Sequence, residues 1–135
     1  MAVTLGPRAT GRPTRRPVYV RGVEPREIND PGNAGRITAV GEGFVLLKTI
    51  QAETRTLTDP IYAGQVLDLI FETDIGDCVI TADSAVNQTG NNTLTFADGG
   101  DHCRLYGGRD GAGDLEWRVV ADGTEGNDGV ALSTV

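Results

Sequence analysis

The sequence predicts an all-β fold: an antiparallel β-sandwich, jelly roll or barrel preceded by an extended N-terminal arm. Three observations lead there. Nine short apolar or β-branched segments follow one another at near-regular spacing, separated by glycine and Asx clusters. No window sustains the helical period. Charge and proline are unevenly divided: residues 1–40 hold seven basic side chains against three acids, and residues 41–135 hold five against sixteen. Five of the six prolines precede residue 32. The division predicts two parts, a basic arm over residues 1–35 and a β-rich body over residues 36–135.

The arm is interrupted by Gly6-Pro7, Arg12-Pro13, Arg16-Pro17, Glu24-Pro25 and Asp30-Pro31-Gly32. Each proline removes a backbone donor and disfavours helix at the residue before it. Its large apolar residues are few, so burial within the arm alone does not offset its ordering entropy. Order is expected only against a partner or sister surface. Fully extended, thirty-five residues reach on the order of 100 Å. Arg8, Arg12, Arg15, Arg16 and Arg21, with Tyr19, are the candidate partner-binding residues. Arginines of this kind pair with carboxylates or with phosphates. Protein docking is favoured and nucleic acid disfavoured, because Tyr19 is the arm's only aromatic and the acidic body repels phosphate.

In the body the expected strands are, in order, Arg36–Val40, Phe44–Ile50, Thr54–Thr58, Val66–Glu72, Asp77–Thr81, Asn92–Phe96, His102–Tyr106, Leu115–Ala121 and Val130–Thr134. Leu94 and Phe96 alternate with Thr93 and Thr95, and Leu115, Trp117 and Val119 alternate with Glu116 and Arg118, which marks core-facing sets. Thr54–Thr58 reads as an edge or surface strand. The runs beginning at Phe44 and Val66 are apolar on both faces, as in strands whose second face is also covered. In so small a body a subunit interface is the expected cover, with Phe44, Leu46, Val66 and Ile70 as its candidate residues and a homotrimer as the expected assembly.

Acids are abundant but sit beside glycine, as in Asp98-Gly99-Gly100-Asp101, Asp110-Gly111-Ala112-Gly113-Asp114 and Asp122-Gly123. Such pairs supply the positive-φ positions of tight turns. Turns are therefore the first reading, and calcium, for which Gly107–Leu115 offers one imperfect repeat, is the lesser one. His102 adjoins Cys103, but neighbours on a strand point to opposite faces and form no base–nucleophile pair. No phosphate or dinucleotide loop is present. Cys78 and Cys103 lack metal-ligand spacing; they either pack as small apolar groups or face each other across a ladder, with free thiols favoured over a disulfide. The opening residues lack a signal-peptide core, and no apolar run is long enough for a membrane helix. No catalysis, cofactor or metal is expected.

From about Asp59 to Val135 the order of elements resembles a module of tailed-bacteriophage structural proteins. Ala63-Gly64-Gln65 leading into Val66–Phe71 carries the resemblance, with Asn92–Phe96 before a Gly-Asp turn and Leu115–Val120 followed by Asn127-Asp128-Gly129-Val130. The resemblance implies a small, often trimeric virion component placed on the capsid surface as a decoration or cement protein, with the major capsid protein as partner, or carried on a fibre. The arm lies outside the resemblance, so its docking onto neighbouring shell subunits is inferred from charge and reach. A fibre or tail-associated receptor-binding module is the alternative.

Overall fold

The computed structural model describes residues 26–123 and 129–135. Within them ten strands build two five-stranded sheets around one core: β1 Arg26–Glu27, β2 Gly35–Ile37, β3 Gly43–Lys48, β4 Glu53–Leu57, β5 Val66–Thr73, β6 Cys78–Ala82, β7 Thr93–Phe96, β8 His102–Arg109, β9 Leu115–Gly123 and β10 Ala131–Ser133. The order across the first sheet is β1-β3-β5-β8-β9, and across the second β10-β7-β6-β4-β2. All nine expected strands are present, their ends displaced by no more than three residues, and β1 is an addition. The body is a β-sandwich.

The sheets are mixed, which corrects the antiparallel expectation. From β1 to β6 each strand lies in the sheet opposite its predecessor, so the chain winds as a flattened coil. Strands one lap apart therefore run parallel, β1 beside β3 beside β5 and β2 beside β4 beside β6. The later strands reverse: β7 runs antiparallel to β6, β8 to β5, β9 to β8 and β10 to β7. The winding fixes two ends. Segments 28–34, 49–52, 74–77 and 97–101 lie at the first end, and 38–42, 58–65, 83–92 and 110–114 at the second. The described chain begins at Arg26, whose partner Gly43 begins β3, so it starts at the second end.

Period-2 patterning decides what is buried. Val45 and Leu47 of β3, Leu67, Leu69 and Phe71 of β5, Leu57 of β4, Ile80 of β6, Leu94 and Phe96 of β7 and Trp117 of β9 meet in one cluster. Phe71 and Phe96 pack edge to face across it, centroids 6.2 Å apart. Trp117 satisfies its indole N–H by donating to the Thr58 carbonyl at 2.7 Å. Cys78 and Cys103 are both buried and lie on opposite sheets, so they are not partners across one ladder. Positive φ at Gly100, Gly113 and Gly129 matches the turn chemistry expected of their Asx-rich segments.

Two further corrections concern the N-terminal third. Residues 26–35 belong to the sandwich: β1 pairs with β3, Ile28 packs against the core, and Asp30 reaches into it. The first twenty-five residues of the expected arm lie outside the described residues. Thr54–Thr58 is not an edge strand, because β4 is paired on both sides, and Arg55 points inward, 1% exposed. Its Nε and Nη2 donate to the two carboxylate oxygens of Asp30 at 2.6 and 3.0 Å, and Nη2 also donates to the Lys48 carbonyl at 3.1 Å. Nη1 lies 2.9 Å from Glu53 Oε1 as an ionic contact without hydrogen-bond alignment.

Candidate interaction face

The outer face of the first sheet gathers the four residues expected at an oligomer interface. Phe44 and Leu46 alternate with buried Val45 and Leu47 on β3, and Val66 and Ile70 alternate with buried Leu67 and Leu69 on β5. All four are half-buried. Cross-strand register sets them in rows: Phe44 beside Asp68 beside Arg104, Leu46 beside Ile70 beside His102, and Val66 beside Tyr106 beside Arg118. The face is thus an apolar frame with the Asp68–Arg104 ion pair at its middle and further charges toward its edges.

Three ion pairs lie within the face, and exposed Glu27, beside Phe44, stands outside them. Arg104 Nε and Nη2 donate to the two oxygens of Asp68 at 2.8 and 3.0 Å, and this hydrogen bonding holds the Arg104 guanidinium above its usual pKa. Arg118 Nη1 donates to Glu116 Oε1 at 2.7 Å, and Lys48 Nζ stands 3.5 Å from Glu72. Exposed pairs of this kind contribute about 0–1 kcal/mol each to stability. Their larger consequence is for association, because a covering partner need not supply counter-charges to these six side chains.

Beside the frame a depression of about 290 Å³ is lined by Asp68, Leu69, Ile70, Gly100, His102 and Cys103. His102 is exposed, with Nδ1 3.2 Å from the Gly100 carbonyl, while the neighbouring Cys103 side chain is buried. The two do point to opposite faces, as strand geometry requires. Tyr106 is half-exposed beside Val66, and neither member of the Asp68–Arg104 pair was singled out by the sequence. Their signal was the alternation of His102, Arg104 and Tyr106, legible once β8 is known to lie beside β5.

Other candidate groups fall elsewhere. Arg8, Arg12, Arg15, Arg16, Tyr19 and Arg21 lie outside the described residues. In the Asp110–Asp114 turn, Asp110 Oδ1 accepts from the Asp114 and Ala112 N–H groups, both at 2.8 Å. The backbone bond from Asp114 is the main reason its carboxyl sits below the usual range. Among the described residues no group of three His, Cys, Asp or Glu side chains is placed to hold a metal ion. Burial pushes the Cys78 thiol up to about 11, against the opposing pull of the Arg55 charge. A thiol so shifted stays protonated near neutral pH and is a poor nucleophile.

No family model matches the chain, and no curated protein is significantly similar to it.

Proposed function

We propose that this protein is a non-enzymatic structural component of a phage virion, a capsid decoration or cement protein that binds the outer capsid surface and stabilises the shell. In this reading the body trimerises through the outer face of the first sheet, and the basic N-terminal segment docks onto neighbouring shell subunits. The observation that carries it is the apolar frame of Phe44, Leu46, Val66 and Ile70 with three ion pairs set among it, a face suited to being covered rather than to catalysis. Three linked bodies, each bringing an arm, make release rare even where each contact is weak. The phage assignment itself rests on the resemblance of residues 59–135 in sequence.

Co-sedimentation of the purified protein with empty phage shells tests it. Saturable binding is expected, weakened when Arg8, Arg12, Arg15, Arg16 and Arg21 are together replaced by glutamate. No binding to any shell, with the protein folded, overturns the reading. A fibre or tail-associated receptor-binding module is the second reading, favoured by the exposed rings of Tyr62 and Tyr106. Binding to host glycans without shell binding would select it.

A further inference from the structure

At the first end of the sandwich two turns one lap apart are stacked. The offset between partners is the same on either side of the turn, Lys48 with Thr73 in one sheet and Glu53 with Cys78 in the other, so Ile50 is aligned with Ile75. Thr49 locks the stack: its Oγ1 donates to the Gly76 carbonyl at 2.6 Å and accepts from the Ile75 N–H at 3.1 Å. Gly76 has no room for a Cβ, because the Gln51 and Ala52 backbone occupies that space. On this rigid support Ile50 is 78% exposed and Ile75 65%. Two neighbouring isoleucines held out in water by a locked turn form an apolar ridge, not scattered surface residues.

The ridge has an acidic collar. Glu72, Asp74, Asp77 and Asp98 are all exposed around it, and Gly99 brings the 97–101 segment against Asp74. Segments 28–34, 49–52, 74–77 and 97–101 contain no lysine or arginine, and Lys48, at the rim, is already beside Glu72. A fitting occupant therefore carries arginines interleaved with apolar side chains. Residues 1–25 of this same chain have that composition: five arginines against one acid, with Val18, Tyr19, Val20 and Val23 among them. Geometry then selects the copy. The described chain begins at Arg26, at the second end, and the ridge is at the first, so the length of the sandwich separates a chain's described start from its own ridge.

We infer that the Ile50–Ile75 ridge receives the basic N-terminal segment of a second copy, giving a head-to-tail contact in which valines and Tyr19 cover the isoleucines and arginines meet the acidic collar. A head-to-tail contact closes into a ring if its rotation permits, three copies included. This goes beyond the proposed function, in which the segment meets shell subunits, because the receiver here is the protein's own body.

The test uses the full-length protein. An Ile75→Cys variant, labelled with a benzophenone maleimide, is mixed with an isotope-labelled copy of the natural protein, irradiated and mapped by mass spectrometry. Crosslinks from position 75 to residues 1–25 of the labelled copy are expected. Crosslinks to the same chain's segment alone, or none to residues 1–25, overturn the inference. In parallel, sedimentation equilibrium compares the natural chain with the Ile50→Ser/Ile75→Ser double variant. Association weakened on the order of tenfold or more is expected, as is a matching loss from raised salt. Unchanged association in the double variant overturns it. Shell binding reads the other proposal independently: crosslinks without shell binding leave this contact standing, and shell binding without crosslinks removes it alone.

Discussion

Arg55 holds Asp30 through two side-by-side hydrogen bonds, Nε to Oδ1 at 2.6 Å and Nη2 to Oδ2 at 3.0 Å, at the edge of a core otherwise built from aliphatic and aromatic side chains. The pair joins the segment before β2 to the middle of the second sheet. Asp30 also accepts from the N–H groups of Lys48 and Gly32, so one carboxylate ties four points of the chain together. Such a pair is weak evidence of net stabilisation, since both charges lost their water. Its loss on one side only is another matter.

Removing Asp30 leaves the Arg55 guanidinium buried with only the poorly aligned Glu53 and one carbonyl for company. Asp30→Ala is expected to cost about 3–5 kcal/mol in urea denaturation, the range for breaking a buried pair from one side. The double variant Asp30→Ala/Arg55→Met should cost markedly less, because no uncompensated cation remains. A single-variant cost under about 1 kcal/mol would show the knot to be irrelevant to stability.

The same group sets the acid limb of stability. Burial alone would raise the Asp30 carboxyl, but Arg55 and the two N–H groups more than offset that and hold it below its ordinary 3.8. A carboxyl with a depressed native value releases its proton more readily folded than unfolded, so its contribution is complete above the unfolded value and disappears as pH falls through the native one. Cys78 acts on the alkaline limb with the opposite sign. Its thiol is raised from 9.0 to about 11, so stability should fall as pH climbs between those values. Thermal melts from pH 2 to 11 should show both limbs, with Asp30→Asn flattening the first and Cys78→Ala the second.

Ala34 sits at φ 64°, the left-handed region, between Gly32 at φ 85° and β2. An L side chain there costs roughly 1–2 kcal/mol, part of which is returned by its smaller unfolded-state entropy relative to glycine. Ala34→Gly should therefore stabilise by about 0.5–1 kcal/mol in chemical denaturation. Gly76→Ala should do the reverse, because its Cβ would collide with the backbone of the neighbouring turn.

Ile70 lies at the centre of the outer face, between Leu46 and His102 and on the wall of the depression. Ile70→Glu should leave the circular-dichroism spectrum unchanged while dissociating the assembly seen by light scattering. Thr54→Glu, on the outer face of the other sheet, should leave the assembly intact. Dissociation by the second variant and not the first would place the interface on the opposite sheet.

Strand positions were legible because they depend on local signals. Alternation marked Leu94 with Phe96 and Trp117 with Val119, while glycine and Asx clusters marked the turns. Pairing was not legible in the same way. Phe44 and Ile70 share a face only because β3 and β5 run parallel one lap apart, and the intervening strand β4 belongs to the other sheet. No residue pattern announces that winding. Arg55 misled for a related reason: Thr-Arg-Thr reads as a solvated strand unless Asp30, twenty-five positions earlier, is known to meet it. Ile50 and Ile75 looked like ordinary strand and turn residues until the laps set them in line.

The winding from β1 to β6 also governs how the chain assembles itself. In that stretch no strand hydrogen-bonds to the next one along the sequence, so hairpin zippering, the quickest route to β-structure, is confined among the described strands to the partners β6 with β7 and β8 with β9. A nascent chain halfway out of the ribosome would have strands whose mates are each a full circuit distant, and little reason to commit. Acquisition of the native state should wait for the closing hairpins, which places the rate-limiting event at the carboxyl-terminal half and leaves the amino-terminal laps to be drawn in afterwards.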